Sequence, residues 1–200
     1  MKTSIKTLIA TSLTAVVMST AMVTSTVSAL EVAPVESPKT NNFRKITVKG
    51  NVELTIIQGS STRIVYADDN YGSAKVMQEG DNLKISSSSK EVTKIIVYVK
   101  DLYRIQASEN AIVRTEGKLG TQFLQIFLKG SAKADINSNT EGLYTVIEDN
   151  AYLTLSGSTD DHTLVMGKTQ KLTIDKFAAL KTSISSIETA AVETKIAANK

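Results

Sequence analysis

The sequence predicts an all-β chain folded as a parallel β-helix. The first observation is a repeat. One short phrase recurs four times between Leu102 and Ile174, as ENAIVRT, GSAKADI, DNAYLTL and KTQKLTI. Anchored on Ala111, Ala132, Ala151 and Gln170, the copies lie 21, 19 and 19 residues apart. A period near twenty over several copies marks stacked units. The second observation is alternation. Val113, Ala134, Leu153 and Leu172 stand two residues past the anchors, and Thr115, Ile136, Leu155 and Ile174 stand four past. Arg114, Asp135, Thr154 and Thr173 lie between them. Apolar at every second position is a strand pattern, since a helix needs spacings of three and four.

Each anchor is preceded by a second run, YRIQA, LQIFL, YTVIE and TLVMG, rich in β-branched, aromatic and aliphatic residues. The expected unit is a strand, a tight polar corner, a second strand and a longer polar loop. One unit has too little apolar surface to fold alone. Copies stacked about 4.8 Å apart bury a shared interior and pair each strand with its equivalents. The rival is a β-sandwich, which does not need equivalent residues at a fixed period.

Taken in order, the chain opens with MKTSIK, an apolar TLIATSLTAVVMSTAMV and a small-residue exit, TSTVSA. This is the layout of a secretory signal peptide over residues 1–29, cut after Val27-Ser28-Ala29. The expected route is Sec export to the periplasm, outer surface or medium. No later stretch reaches the roughly 20 apolar residues of a membrane span. Residues 30–42 read as a disordered lead-in that holds both prolines, Pro34 and Pro38. From Phe43 onward proline is absent, as continuous ladders require. Residues 43–200 are expected to form a single domain.

Phe43 to Gln58 reads as two short strands about a Gly50-Asn51 corner, and NVELTI resembles NAYLTL as an early, divergent coil. RIVYA is a strand and Asp68 to Asn70 a turn. AKVMQ and LKISS make a hairpin joined by EGDN. SSSSKE is a polar loop, and Val92 to Val99 a strand with Ile95, Val97 and Val99 on one face. From Lys181 two readings stay open. ETAAVETKI repeats the spacing once more, whereas Ser185 followed by Glu188 is a capping-box pattern for a closing helix.

Composition narrows the functions. There is no Cys, which removes disulfides, thiolate metal sites and cysteine nucleophiles. Loss of residues 1–29 removes Lys2 and Lys6 from 23 basic residues, leaving 21 against 20 acidic. A net charge of +1 gives no electrostatic footprint for nucleic acid. His162 is the sole histidine and reads as a loop residue. Glycosidases need two carboxyls roughly 5–10 Å apart. The candidates are Glu148 and Asp149 near Glu109, and Asp160 and Asp161 near Glu141. The same oxygens suit calcium. The plainer reading is solvated acidic corners. There is no Trp. Tyr103 and Tyr144 fall at matching strand positions and are expected to pack inside.

Some residues carry a family resemblance. These are Phe43, Ile46, Val48 and Gly50 of F-x-x-I-x-V-x-G, then Gln58-Gly59, Asp68 to Asn70, G-D-N-L-K-I from Gly80 to Ile85, and the corners before Ala111, Ala132 and Ala151. Across about residues 43–185 the chain resembles the GIN-domain family, the putative auto-transporter adhesin head domains. The resemblance implies a secreted or envelope protein of bacteroidete-like bacteria with a right-handed β-helix, and it supplies no catalytic residues. The chain departs from the family's Ser-Gly-Ser-Gly corners at Ser108-Glu109-Asn110 and Glu148-Asp149-Asn150. The expected function is therefore a non-catalytic binding or structural module of adhesin type, with a glycan or cell-surface protein as partner. No catalytic, cofactor or metal residue is assigned. The alternative is a polysaccharide lyase or glycosidase.

Overall fold

A computed structural model of the protein describes residues 42–67, 73–167 and 171–187. The expected signal peptide, the lead-in up to residue 41, the turn at Asp68 to Asn70, the anchor Gln170 and the terminal ETAAVETKI lie outside the described residues. Within them the chain is all-β. The strands are β1 (Lys45–Gly50), β2 (Val52–Gln58), β3 (Arg63–Tyr66), β4 (Lys75–Glu79), β5 (Asn82–Ser87), β6 (Thr93–Val99) and β7 (Arg104–Ser108). They continue as β8 (Ile112–Glu116), β9 (Leu119–Gly120), β10 (Phe123–Leu128), β11 (Lys133–Ile147), β12 (Tyr152–Met166) and β13 (Leu172–Ser186).

All thirteen belong to one strongly curled sheet with two ladders. In the first ladder β5, β1, β7, β10 and the second halves of β11, β12 and β13 follow one another in parallel. In the second, β6, β2, β8 and the first halves of β11, β12 and β13 do the same. The repeat read from sequence is this register. Ala134 is the Cα partner of Val113 and of Leu153, and Leu153 of Leu172. The early coil also falls in line, because Leu54 partners Val113.

The register places like on like. Leu83, Ile46, Ile105, Ile126, Thr145, Leu164 and Ile184 form one column. Ile95, Leu54, Val113, Ala134, Leu153 and Leu172 form another. Apart from Thr145 and the two terminal residues, Ile184 and Leu172, both columns belong to one buried apolar cluster. Burying a Leu or Ile contributes about 1.5–3 kcal/mol.

Three expectations change. First, the longer polar loops are strand. Asn137 to Gly142 lies inside β11, and Ser156 to Asp161 inside β12. Thr140 and Thr159 are buried neighbours, and the Thr140 hydroxyl donates to the Thr159 oxygen at 2.8 Å. The Thr159 hydroxyl in turn donates to Asp161 O at 3.3 Å, so polar composition did not prevent a ladder. Second, the stack is out of chain order. β5 and β6 lie on the far side of β1 and β2, so the chain returns past them before β7. The edge beyond β5 and β6 is closed by antiparallel β4 and β3. The hairpin read at EGDN is the β4–β5 pair. Third, the tyrosines face outward. Tyr144 partners Gln125, which partners Arg104, so Tyr103 is one residue out of the assumed register.

The corners before β2, Ala111, Ala132 and Ala151 each hold a left-handed residue. These are Gly50 (φ 83°), Glu109 (φ 61°), Gly130 (φ 71°) and Asp149 (φ 56°). Consecutive corners bond to each other, with Ser131 N–H on Glu109 O and Asn150 N–H on Gly130 O, each 2.8 Å. A Cβ at Gly130 would stand 3.1 Å from Glu109 N. At Glu109 a side chain costs about 1–2 kcal/mol of backbone strain.

Two stability predictions arise here. Leu153→Asp places an unpaired charge in the buried column and is expected to lose several kcal/mol in urea unfolding, while Thr154→Asp loses far less. Equal losses would argue against the alternation. At the corners, Gly130→Ala is expected to lower the urea midpoint through strain and crowding. Glu109→Gly is expected to raise it slightly, because relieved strain exceeds the roughly 0.5–1 kcal/mol that glycine costs in chain entropy.

Candidate functional site

The residues just before the strands of the first ladder form a column of their own. Arg44 precedes β1, Asp81 precedes β5, Tyr103 precedes β7, and Thr121 and Gln122 precede β10, which opens with Phe123. Backbone bonds hold these entry points together. Arg44 N–H reaches Asp81 O at 2.9 Å, Tyr103 N–H reaches Arg44 O at 2.9 Å, and Gln125 N–H reaches Tyr103 O at 2.8 Å. With Asp101, these side chains line a surface groove of about 480 Å³.

The charges in the groove are matched. Asp101 accepts from Arg44 at 2.8 Å and from the Thr121 hydroxyl at 3.2 Å. Asp81 accepts from the Tyr103 hydroxyl at 3.1 Å and pairs with Lys45 at 3.3 Å. Arg44 and Lys45 both lie over the Tyr103 ring, at 5.1 and 5.4 Å from its centre. Hydrogen bonding to Tyr103 and then to Asp81 raises the Lys45 pKa. Partial desolvation pushes the Asp81 carboxyl up, but the hydrogen bonds from Lys45 and Tyr103 outweigh it and the net shift is downward.

Phe123 is 58% exposed and adds an apolar ring to the wall of the groove. Its place is made by Gly142, the Cα partner of Phe123 on β11. A Cβ at Gly142 would stand 2.7 Å from the Phe123 ring. Gln122, beside it, donates to Glu141 at 2.9 Å. The arrangement offers one open aromatic face, a second ring held by cations, and hydrogen-bonding groups already aligned by one another.

Of the carboxylates singled out in the sequence, Glu141 reaches the groove through Gln122, and Glu109, Glu148, Asp149 and Asp161 pair elsewhere. Glu148 pairs with Lys129 at 3.2 Å, as the stacked register requires, and this bond raises the Lys129 pKa. Asp149 accepts from Gly130 N–H at 3.1 Å, and Glu109 pairs with Lys49 at 3.2 Å. Asp161 sits 3.9 Å from Lys181. Arg114 and Asp135 are Cα partners as counted, yet Arg114 reaches Glu53 at 2.6 Å instead. Among the described residues no three His, Cys, Asp or Glu side chains gather as a metal site. His162 is not a loop residue. It lies in β12, buried, with Nε2 2.9 Å from the Thr145 hydroxyl and its ring edge-on to Phe177, and burial lowers its pKa.

Comparison with known proteins decides the family. The model of the putative auto-transporter adhesin, head GIN domain, matches residues 42–198. The chain belongs to this GIN-domain family. Solved structures agree on the fold. A putative adhesin from Bacteroides fragilis NCTC 9343 aligns with a TM-score of 0.68 at 21% identity, covering 76% of this chain and 75% of that one. A putative adhesin from Parabacteroides distasonis ATCC 8503 aligns at 0.58 and 12%, covering 76% and 77%. A putative lipid binding protein from the same strain aligns at 0.57 and 13%, covering 76% and 78%. No curated protein sequence matches. Among the described residues of this GIN-domain chain, no helix is long and apolar enough to cross a membrane.

Apart from Tyr103, which was expected to pack inside, the groove residues were missed in the sequence because they fall in separate segments, before β1, between β4 and β5, between β6 and β7, and at the start of β10. The available signal was Phe123 followed by the alternating Leu124, Ile126 and Leu128, which assigns Phe123 outward.

A pH dependence is expected of the groove. The folded Asp81 pKa is depressed, so its contribution to stability is present above its ordinary value of 3.8 and is lost as pH falls through the folded value. Asp81→Asn should flatten the acid limb of a stability–pH curve. An unchanged acid limb would deny the Asp81–Lys45–Tyr103 arrangement.

Proposed function

We propose that this chain is an exported, non-catalytic binding module that holds a glycan in the groove at Phe123. The observation that carries the reading is the exposed Phe123 ring seated on Gly142, beside Asp101, Arg44 and Gln122. Sugars present an apolar C–H face and a rim of hydroxyls. An aromatic plane takes the first, and aligned carboxylate, guanidinium and amide groups take the second. The groove volume is in the range of small-ligand sites. The adhesin names of the family and of two solved structures of similar fold support an adhesive role. The lipid-binding name of one neighbour leaves the binding reading intact while pointing to another ligand.

The polysaccharide-enzyme alternative is less well supported. A glycosidase needs one carboxyl with a raised pKa as general acid. Asp81 is shifted the other way, and Asp101 is held by Arg44 and Thr121.

The architecture proposed to present this groove is a right-handed parallel solenoid of about 20 residues per coil, occupying residues 43–200. Partner spacings support the coil length, since Ile112, Lys133 and Tyr152 are Cα partners 21 and 19 residues apart. Export follows from the signal-like residues 1–29, with cleavage at Ala29.

A glycan array on the exported protein tests the function, with reducing-sugar release measured in parallel. Binding without sugar release is expected, and Phe123→Ala should weaken it tenfold or more, about 1.4 kcal/mol, with an unchanged circular dichroism spectrum. Sugar release, or equal binding by Phe123→Ala, would overturn the reading.

A further inference from the structure

The two ends of the curled sheet are finished differently. At one end, antiparallel β3 and β4 pair with β6 and β5 and bury Ile64, Val65, Tyr66 and Ala74. At the other, among the described residues, β13 pairs with β12 alone. The interior columns run out there into the open. Leu164 is 2% exposed, and its partner Ile184 on β13 is 66% exposed. Ile174 is also exposed, and Leu180 is 85% exposed. Leu172, Ile174, Phe177 and Ile184 line a hollow of about 270 Å³ with Leu164 and His162 behind them.

We infer that this end is an interface with a second copy of the chain, formed by antiparallel pairing of two β13 strands. An apolar ligand would fill the hollow but would not pair the backbone edge of β13, which among the described residues has a strand partner on one side. A strand satisfies both. The shape of β13 then favours its own twin. Its first half, up to Ala179, belongs to the second ladder, and its second half, from Lys181, to the first. A two-fold axis near Ala178 exchanges the halves and sets one open end on the other. A closed two-fold interface of this kind is self-complementary.

One register makes the side chains agree. With Ala178 opposite its own copy, Leu172 faces Ile184 of the other chain, Ile174 faces Thr182, and Phe177 faces Ala179. Each of these residues continues an interior column or lies between two that do, and His162, behind Thr182, stays covered. In the same register Asp175 meets Lys181 of the other chain. Lys181 is exposed and only 3.9 Å from Asp161 in its own chain, so it can serve both. Lys176 faces Leu180, which its methylene stem can cover. A shift by two residues would set Phe177 against Lys181. Side-chain agreement thus selects a single pairing.

This inference is separate from the groove at Phe123, which lies at β10 and faces outward, so either can fail without the other. Sedimentation of the exported full chain over a dilution series tests it. A dimer in reversible equilibrium is expected, and Ile184→Lys should leave a monomer with an unchanged spectrum. Asp175→Lys alone and Lys181→Asp alone should each weaken association about tenfold, and the two together should restore most of it. If Ile184→Lys fails to fold, the charge exchange still decides. A monomer at every concentration would overturn the inference. So would charge variants whose effects do not compensate. Dimerisation appearing only after deletion of residues 188–200 would assign this edge to the chain's own C-terminal segment and overturn it too.

Discussion

Parallel backbone pairing between equivalent strands is the constraint on which the rest depends. In a parallel ladder each inner strand is bonded to an equivalent on either side, so an error in one strand propagates to its neighbours. Columns of like residues are the outcome. Apolar side chains meet apolar ones in the inner columns, and four corners, at Gly50, Glu109, Gly130 and Asp149, take the same left-handed turn. The absence of proline after Pro38 follows from the same demand, because one missing N–H would break a bond shared with the coil beneath.

Function is placed by this constraint without being specified by it. Inward positions are fixed by packing, whereas outward positions are free to vary. The groove uses outward and connecting residues alone. Arg44, Asp81, Asp101, Tyr103 and Phe123 come from segments far apart in sequence and meet because their strands start level with one another. The ladders thus act as a ruler on which a polar surface is written.

Much of this was legible. The 21- and 19-residue spacings gave the strand register, and Leu153 lies between Ala134 and Leu172 as the alternation required. Lys129 meets Glu148 for the same reason. What was not legible has physical causes. NSNTEG and SGSTDD look like loops because their residues are polar, yet Thr140 donates to Thr159 inside the sheet. His162 looked like a loop residue beside Asp160 and Asp161, but the strand continues through it and turns its ring inward against Thr145. The groove could not be read at all, since spacing says which residues stack and not which connections converge. Nor does any local pattern reveal that β5 and β6 lie beyond β1 and β2.

That displaced pair bears on the order of assembly. From β7 to β12 each coil bonds mainly to the one made just before it, so contacts there are short in sequence and quick to close. Among the described residues β1 and β2 have no such predecessor. Their neighbours on both sides, β5 with β6 and β7 with β8, emerge later in the chain. Among the described residues β1 and β2 therefore lack a parallel strand partner until β5 and β6 have followed, and Ile46, Val48, Leu54 and Ile56 stay exposed in the interval. Made before their partners, β1 and β2 carry the hazard of misassembly, and a holding chaperone is most useful while they wait.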